Sequence, residues 1–151
     1  MELKVDIKDH DKIQIKLDKL SYKLVPSLFR VLVKGAMDTR NEMITSMQNS
    51  PATGRKYPSR RNDGTMHTAS SPYFPPRPDT GDLIASIIPD VREDKLEVEV
   101  GSIINEPPYP IYLEKGSEST NLEPRPYAWD ALEKIFPQIK DDIINVIVNL
   151  L

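Results

Sequence analysis

Three pairs of neighbouring carboxylates stand in this 151-residue chain: Glu93-Asp94, Glu97 with Glu99, and Asp141-Asp142. Paired carboxylates divide acid and base roles only when their environments push their pKa values apart. Adjacent residues on a helix or strand do not converge on one point, and Glu97 and Glu99 share what reads as the wet face of a strand. Thr53-Gly54-Arg55-Lys56 is reminiscent of a phosphate loop, but the GxxxxGK[ST] spacing is absent. Ser70-Ser71 has no elbow motif around it. The nearby His67 shares its proline-rich loop, whereas a triad needs rigid supports. The chain has no cysteine, so thiolate metal sites and disulfides are excluded. A metal site would have to rely on oxygen ligands alone, and neither EF-hand nor HExxH spacing occurs. His10 and His67 lie in polar stretches and are expected to be solvated surface histidines. These residues point to no catalytic set and no cofactor: the chain reads as a non-enzyme.

A second group of side chains suits binding. Between Pro51 and Gly81 stand Arg55, Lys56, Arg60, Arg61 and Arg77 against Asp63 and Asp79, a net +3 in a chain whose formal charge is −3. Tyr57, Tyr73 and Phe74 are interleaved with them. Basic and aromatic residues together suit an arm that tracks a nucleic-acid backbone. A basic loop on an acidic body equally suits docking on an acidic protein surface. Five cations are few for a dedicated nucleic-acid binder, and no recognition helix is evident.

The elements that must carry this arm can be read from periodicity. Leu3, Val5 and Ile7 alternate like a short strand, after which Asp9 or Asp11 can cap a helix. Ile13, Leu17, Leu20 and Leu24 have helical spacing, although Ile13 and Ile15 also fit alternation. Pro26 is expected to open a long helix, with Leu28, Leu32, Ala36, Met43 and Met47 on one stripe, ending near Gln48. Residues 50–81 have no usable periodicity and hold six of the 14 prolines, so they are expected to form a long extended loop, a mobile or docking arm. Asp82–Ile88 and Lys95–Ile103 read as paired strands, and Tyr109–Glu114 as a helical turn or a strand. Gly81 is expected to turn the chain out of the arm, and Gly116 to take a positive φ after Glu114. Pro126 presets a final helix whose stripe is Tyr127, Ala131, Ile135, Ile139 and Ile143, continued by Ile147 and Leu150 and widened by Leu132 and Phe136. Arg125 is placed to pair with Glu114. Together the elements imply a single α+β domain over residues 1–151: a small antiparallel sheet of three or four strands, packed against the long N-terminal-half helix and the C-terminal helix. No run of about 18 apolar residues occurs, so no membrane partner is expected. The start, MELKVDIKDHDK, has no apolar h-region, so the chain is expected to stay in the cytoplasm where it is made.

Several short blocks, in order along the chain, carry a resemblance. They are Pro51-Ala52-Thr53-Gly54-Arg55-Lys56-Tyr57, Asp79-Thr80-Gly81-Asp82-Leu83-Ile84-Ala85-Ser86-Ile87, and Val100-Gly101. Tyr109-Pro110-Ile111-Tyr112-Leu113-Glu114-Lys115-Gly116-Ser117 and Arg125-Pro126-Tyr127 followed by Ala131 complete the set. In order and spacing the chain resembles the gene-product-ten-like family of tailed-phage virion proteins, the neck, head–tail joining or tail-completion proteins. It departs from the family pattern at Pro110, Lys115, Ser117 and Tyr127. The resemblance implies a structural virion protein that assembles as a ring between head and tail. Its implied neighbours are portal, adaptor or other neck proteins on one side and tail terminator or tail tube proteins on the other, with contact to passing DNA. Its implied location is the virion neck or tail top. The other reading is a nucleic-acid-binding or DNA-packaging accessory protein that uses the basic loop 55–77.

Overall fold

Ala36, Thr39, Met43 and Met47 recur three or four residues apart, the spacing that puts side chains on one face of a helix. All four are buried, Met43 and Met47 almost completely. They belong to α1, His10–Gln48, in a computed structural model that describes residues 10–150. The strand expected over residues 3–7 and the Asp9 cap lie outside the described residues. Pro26 does not open this helix but sits inside it. A proline in a helix interior deletes one helical hydrogen bond and crowds one carbonyl, a cost of about 3 kcal/mol.

The second long helix, α4, spans Ala128–Leu150 and runs antiparallel to α1. Lys34 Nζ meets Asp142 at 3.0 Å, and Lys134 Nζ meets Glu42 at 2.7 Å. A Cβ on Gly35 would lie 2.6 Å from the Ile139 side chain, so this glycine lets the helices approach closely. Ala131 is buried, and Ile135, Ile139, Ile143 and Leu150 are half-buried on the same side. Ile147 departs from the expected coverage, remaining 38% exposed. With residue 35 opposite residue 139, the end of α4 is level with about residue 25. Some 15 residues of α1, about 22 Å, extend beyond it.

Packed against α1 and the start of α4 is a hairpin of β3, Ile87–Arg92, and β4, Glu97–Ser102, joined by a 3-10 turn at Glu93–Lys95. Its register runs from Ile87↔Ser102 to Arg92↔Glu97. Alternation therefore puts Ile87, Pro89 and Val91 on one face with Val98 and Val100. Ile87 is fully buried against Met43, Met47, Tyr127 and Ala131. The opposite face carries an ionic cluster in which Arg92 meets Glu99, and also Asp90 and Glu97 at 3.3 Å each. Arg40 Nε donates to the Ile87 carbonyl at 2.7 Å, tying α1 to the start of β3.

The strand expected at Asp82–Ile88 is corrected. Asp82–Ser86 forms a one-turn helix, α2, and only Ile87 and Ile88 enter the strand. Leu83 and Ile84 both pack on the core. A strand would send these neighbours to opposite faces, whereas a helical turn keeps both inward. Gly81, φ 94°, turns the chain out of the arm as expected, but into α2 rather than into a strand. Tyr109–Lys115 forms α3, which ends at Gly116 with φ 77°.

The fold is α+β, but its strands form two separate two-stranded antiparallel sheets rather than one sheet of three or four. The second pair, β1 (Lys56–Pro58) and β2 (Met66–Thr68), lies within the segment read as a structureless loop. In both sheets each strand is paired on one side only.

Candidate functional site

The arm is built on backbone bonds that leave little trace in the sequence. Lys56↔Thr68, Tyr57↔His67 and Pro58↔Met66 are opposed. Gly54 N donates to Ala69 O at 2.8 Å and Ala69 N to Arg55 O at 3.1 Å at its base, and Ser59 N donates to Thr65 O at 2.9 Å towards its tip. Asn62 and Gly64 turn the tip with positive φ. There Asp63 accepts from the hydroxyl and the N–H of Thr65, which hold its carboxyl below the usual range. The chain then returns along the hairpin and Asp79 fastens it. Its carboxylate accepts from Arg60 N at 2.9 Å and from Ser59 Oγ at 2.5 Å, and these bonds depress its pKa. Arg61 Nε donates to the Asp79 carbonyl at 2.8 Å.

His67 is not the solvated histidine expected. It is 8% exposed, its ring 5.2 Å from that of Tyr57 and its Nδ1 3.8 Å from Asp79. A polar stretch buries it because the hairpin folds its ring inward between those two groups. Burial also pushes the Tyr57 hydroxyl pKa up.

The cations of the arm stay outside. Arg55, Lys56, Arg60, Arg61 and Arg77 are all exposed. Among the described residues, no carboxylate forms an ion pair with any of them. Arg61 and Arg77 are brought together at a small polar cleft of about 180 Å³, beside His67 and Asp79. Tyr57, Tyr73 and Phe74 are 37%, 67% and 48% exposed. Tyr73 has φ 65° and is pinned by its N–H to Pro124 O at 2.8 Å. A non-glycine residue in this region costs about 1 kcal/mol or more. The chain accepts that strain to present two adjacent aromatic rings to solvent.

Glu114 and Arg125 do not pair with each other. Arg125 Nε reaches the Ser70 carbonyl at 3.4 Å, which joins it to the base of the arm. Glu114, at the end of α3, caps α4 instead. Its Oε2 accepts from Tyr127 N at 2.8 Å and Ala128 N at 3.0 Å, and its Oε1 from Trp129 N at 3.0 Å. The first N–H groups of a helix have no partners within it, and the helix dipole favours a negative charge there. One carboxylate thus meets three of these donors. The sequence singled out Glu114 but could not show backbone partners.

Tyr127, beside this cap, is 4% exposed, and burial chiefly, then the Glu114 charge, pushes its pKa up to about 12. An unfolded tyrosine ionises near pH 10. Between about pH 10 and 12 the unfolded chain gives up a proton that the folded chain keeps, so stability falls as pH rises through this window. The loss is at most about 3 kcal/mol, and well below pH 10 the group contributes no pH dependence. Chemical denaturation of the parent and of Tyr127→Phe at pH 9 and 11.5 checks this. The phenylalanine variant should lose less stability across the interval, and equal losses would rule out Tyr127 as the source.

Next to the cap opens an apolar groove of about 550 Å³ between α1, β4 and α4, lined by Thr39, Met43, Val100, Trp129 and Leu132. Trp129 is 63% exposed on its rim, Leu132 36%, and Phe136, one turn further, 56%. Sequence reading placed Leu132 and Phe136 in a widened apolar face and passed over Trp129. The signal was the width of that face, greater than one neighbouring helix can cover. The β3–β4 hairpin exposes Ile88, Val91 and Leu96 beside its carboxylates.

Among the described residues no group of three metal-ligating side chains comes together, and no helix is long and apolar enough to cross a membrane. No family model, curated protein or solved structure matches the chain.

Proposed function

We propose that this chain is a structural subunit of a tailed phage, a neck, head–tail connector or tail-completion protein that assembles as a ring between head and tail. The observation that carries the reading is the apolar stripe of Trp129, Leu132 and Phe136, exposed along α4 and continuous with the groove. Contiguous apolar surface of this kind marks a protein interface, and aromatic residues are enriched in interface cores. The order of the sequence blocks that resemble the gene-product-ten-like family supports the same reading. The subunit supplies shape and contact surfaces rather than chemistry. Portal, adaptor or neck proteins above it and tail terminator or tail tube proteins below it are its proposed neighbours.

Native mass measurement of the purified protein is the test, with a closed multiple of the 17.2 kDa chain expected. Trp129→Glu with Phe136→Glu should abolish that multiple, because charges would enter the contact. The double variant should keep the parent's melting temperature to within a few degrees, since both side chains face out. A parent that stays monomeric at every concentration would remove the ring reading.

The exposed cations of the arm favour a second reading, a nucleic-acid-binding accessory protein. Duplex or single-stranded DNA should then bind tightly, with an affinity that falls steeply as salt is raised. The ring reading expects only weak contact with passing DNA.

A further inference from the structure

Two hairpins of this chain carry opposite charge. The arm, residues 51–81, has five basic residues against two acidic ones, a net +3. The β3–β4 hairpin, residues 87–103, has Asp90, Glu93, Asp94, Glu97 and Glu99 against Arg92 and Lys95, a net −3. Both are tied to the body of the domain, the arm through Arg125 on the Ser70 carbonyl and the Tyr73 N–H on the Pro124 carbonyl, the hairpin through Arg40 and the buried Ile87. Among the described residues no ion pair joins one to the other. Arg92 engages three of the hairpin's carboxylates, while Glu93 and Asp94 at its turn form no ion pair among the described residues. Each hairpin also presents apolar groups: Met66, Tyr73 and Phe74 on the arm, Val91 and Leu96 on the hairpin. Through Val100 of β4 the acidic hairpin adjoins the apolar groove rimmed by Trp129 and Leu132.

We infer that the arm of one copy docks on the face formed by the β3–β4 hairpin and the adjoining groove of a second copy. The cations of the arm meet the carboxylates of the hairpin, and Tyr73 and Phe74 meet its apolar groups. Charge complementarity selects the occupant, because a basic, aromatic-bearing surface and an acidic, apolar-bearing one lie on the same chain and, among the described residues, do not pair with each other. The two patches differ, so the contact is heterologous. Repeated around an axis, it leaves every arm and every hairpin occupied only when the ring closes. The inference rests on the self-association proposed above and names the surfaces that carry it.

Charge reversal on each side separates the possibilities. Arg55→Glu with Arg60→Glu turns the arm from +3 to −1, and Glu93→Lys with Asp94→Lys turns the hairpin from −3 to +1. All four side chains are exposed, and none makes a side-chain hydrogen bond or ion pair among the described residues, so both variants should melt like the parent. Each variant alone should be monomeric in analytical ultracentrifugation where the parent is assembled. Mixed in equal amounts, they should reassemble, since each reversed arm then meets an oppositely reversed hairpin. Assembly of either variant alone to the parent's extent would overturn the inference and leave the ring reading standing. So would a mixture of two folded variants that stays monomeric. If the arm variant assembles normally but loses binding to duplex DNA, the arm belongs to nucleic acid and the inference is wrong. A parent that is itself monomeric removes the ring reading first and this inference with it.

Discussion

Glu114→Ala is expected to destabilise the folded monomer by about 3 kcal/mol, the largest effect of any single substitution at the candidate site. The carboxylate accepts from the backbone N–H groups of Tyr127, Ala128 and Trp129 at 2.8–3.0 Å. Hydrogen bonds to a charged group contribute about 1.5–3 kcal/mol each, and an ordinary helix cap about 1. Glu114 is half-buried, so water replaces part of what is lost and the three bonds do not add. The donors would be stranded beside buried Tyr127, at the point where α3, α4 and the groove meet. For a domain of this size about 3 kcal/mol corresponds to a melting temperature lower by roughly 6–12 °C. Glu114→Gln should fall between parent and alanine, because an amide keeps one acceptor but turns a donor toward N–H groups. An alanine variant that melts within about 1 °C of the parent would show that the cap carries no stability.

Gly54→Val is expected to open the arm while sparing the helical frame. A Cβ on Gly54 would sit 2.3 Å from the carbonyl oxygen of Ser70 and 2.7 Å from its carbon. The neighbour is backbone, and Ser70 is fully buried, so neither can swing aside. Relief requires separating the strands where Gly54 N meets Ala69 O and Ala69 N meets Arg55 O. Overpacking of this kind costs about 1–3 kcal/mol, which as local opening is about a ten- to hundred-fold faster tryptic cleavage after Arg55, Arg60 and Arg61. Cleavage-site mapping by mass, alongside the far-UV helix signal, reads the two effects separately. Parent-like cleavage at those three arginines would mean that Gly54 does not hold the base of the arm.

The readable parts of the fold were those in which burial imposes a period. Leu96, Val98 and Val100 alternate with Glu97 and Glu99, and β4 lies there. Ala131, Ile135, Ile139 and Ile143 recur at helical spacing, and α4 follows them, passing through Pro137 as α1 passes through Pro26. Periodicity fails in pieces shorter than its own repeat. The single turn of α2 is too short to show a helical pattern, and β1 and β2 have three residues each. Those strands are held by the Asp79 carboxylate and by backbone bonds from Gly54 and Ala69, and neither kind of contact selects a recognisable residue pattern. The candidate site divides in the same way. The exposed cations and aromatics of the arm were legible because charge and ring surface are properties of composition. His67 was misplaced because burial by a folded hairpin is not. Glu114 drew notice for a charged partner, and its real partners are N–H groups that every residue but proline possesses.

The one-sided pairing of β3 and β4 has a consequence for the chain before it meets any neighbour. A strand with an unpaired edge is a template for adding further strands, and a hairpin of two has such an edge on each side. A chain with two such edges would be open to indefinite stacking. Pro89 in β3 removes one backbone donor, and the like-charged Glu97 and Glu99 along β4 repel a second copy laid edge to edge. Aggregation is thereby resisted at the strand edges.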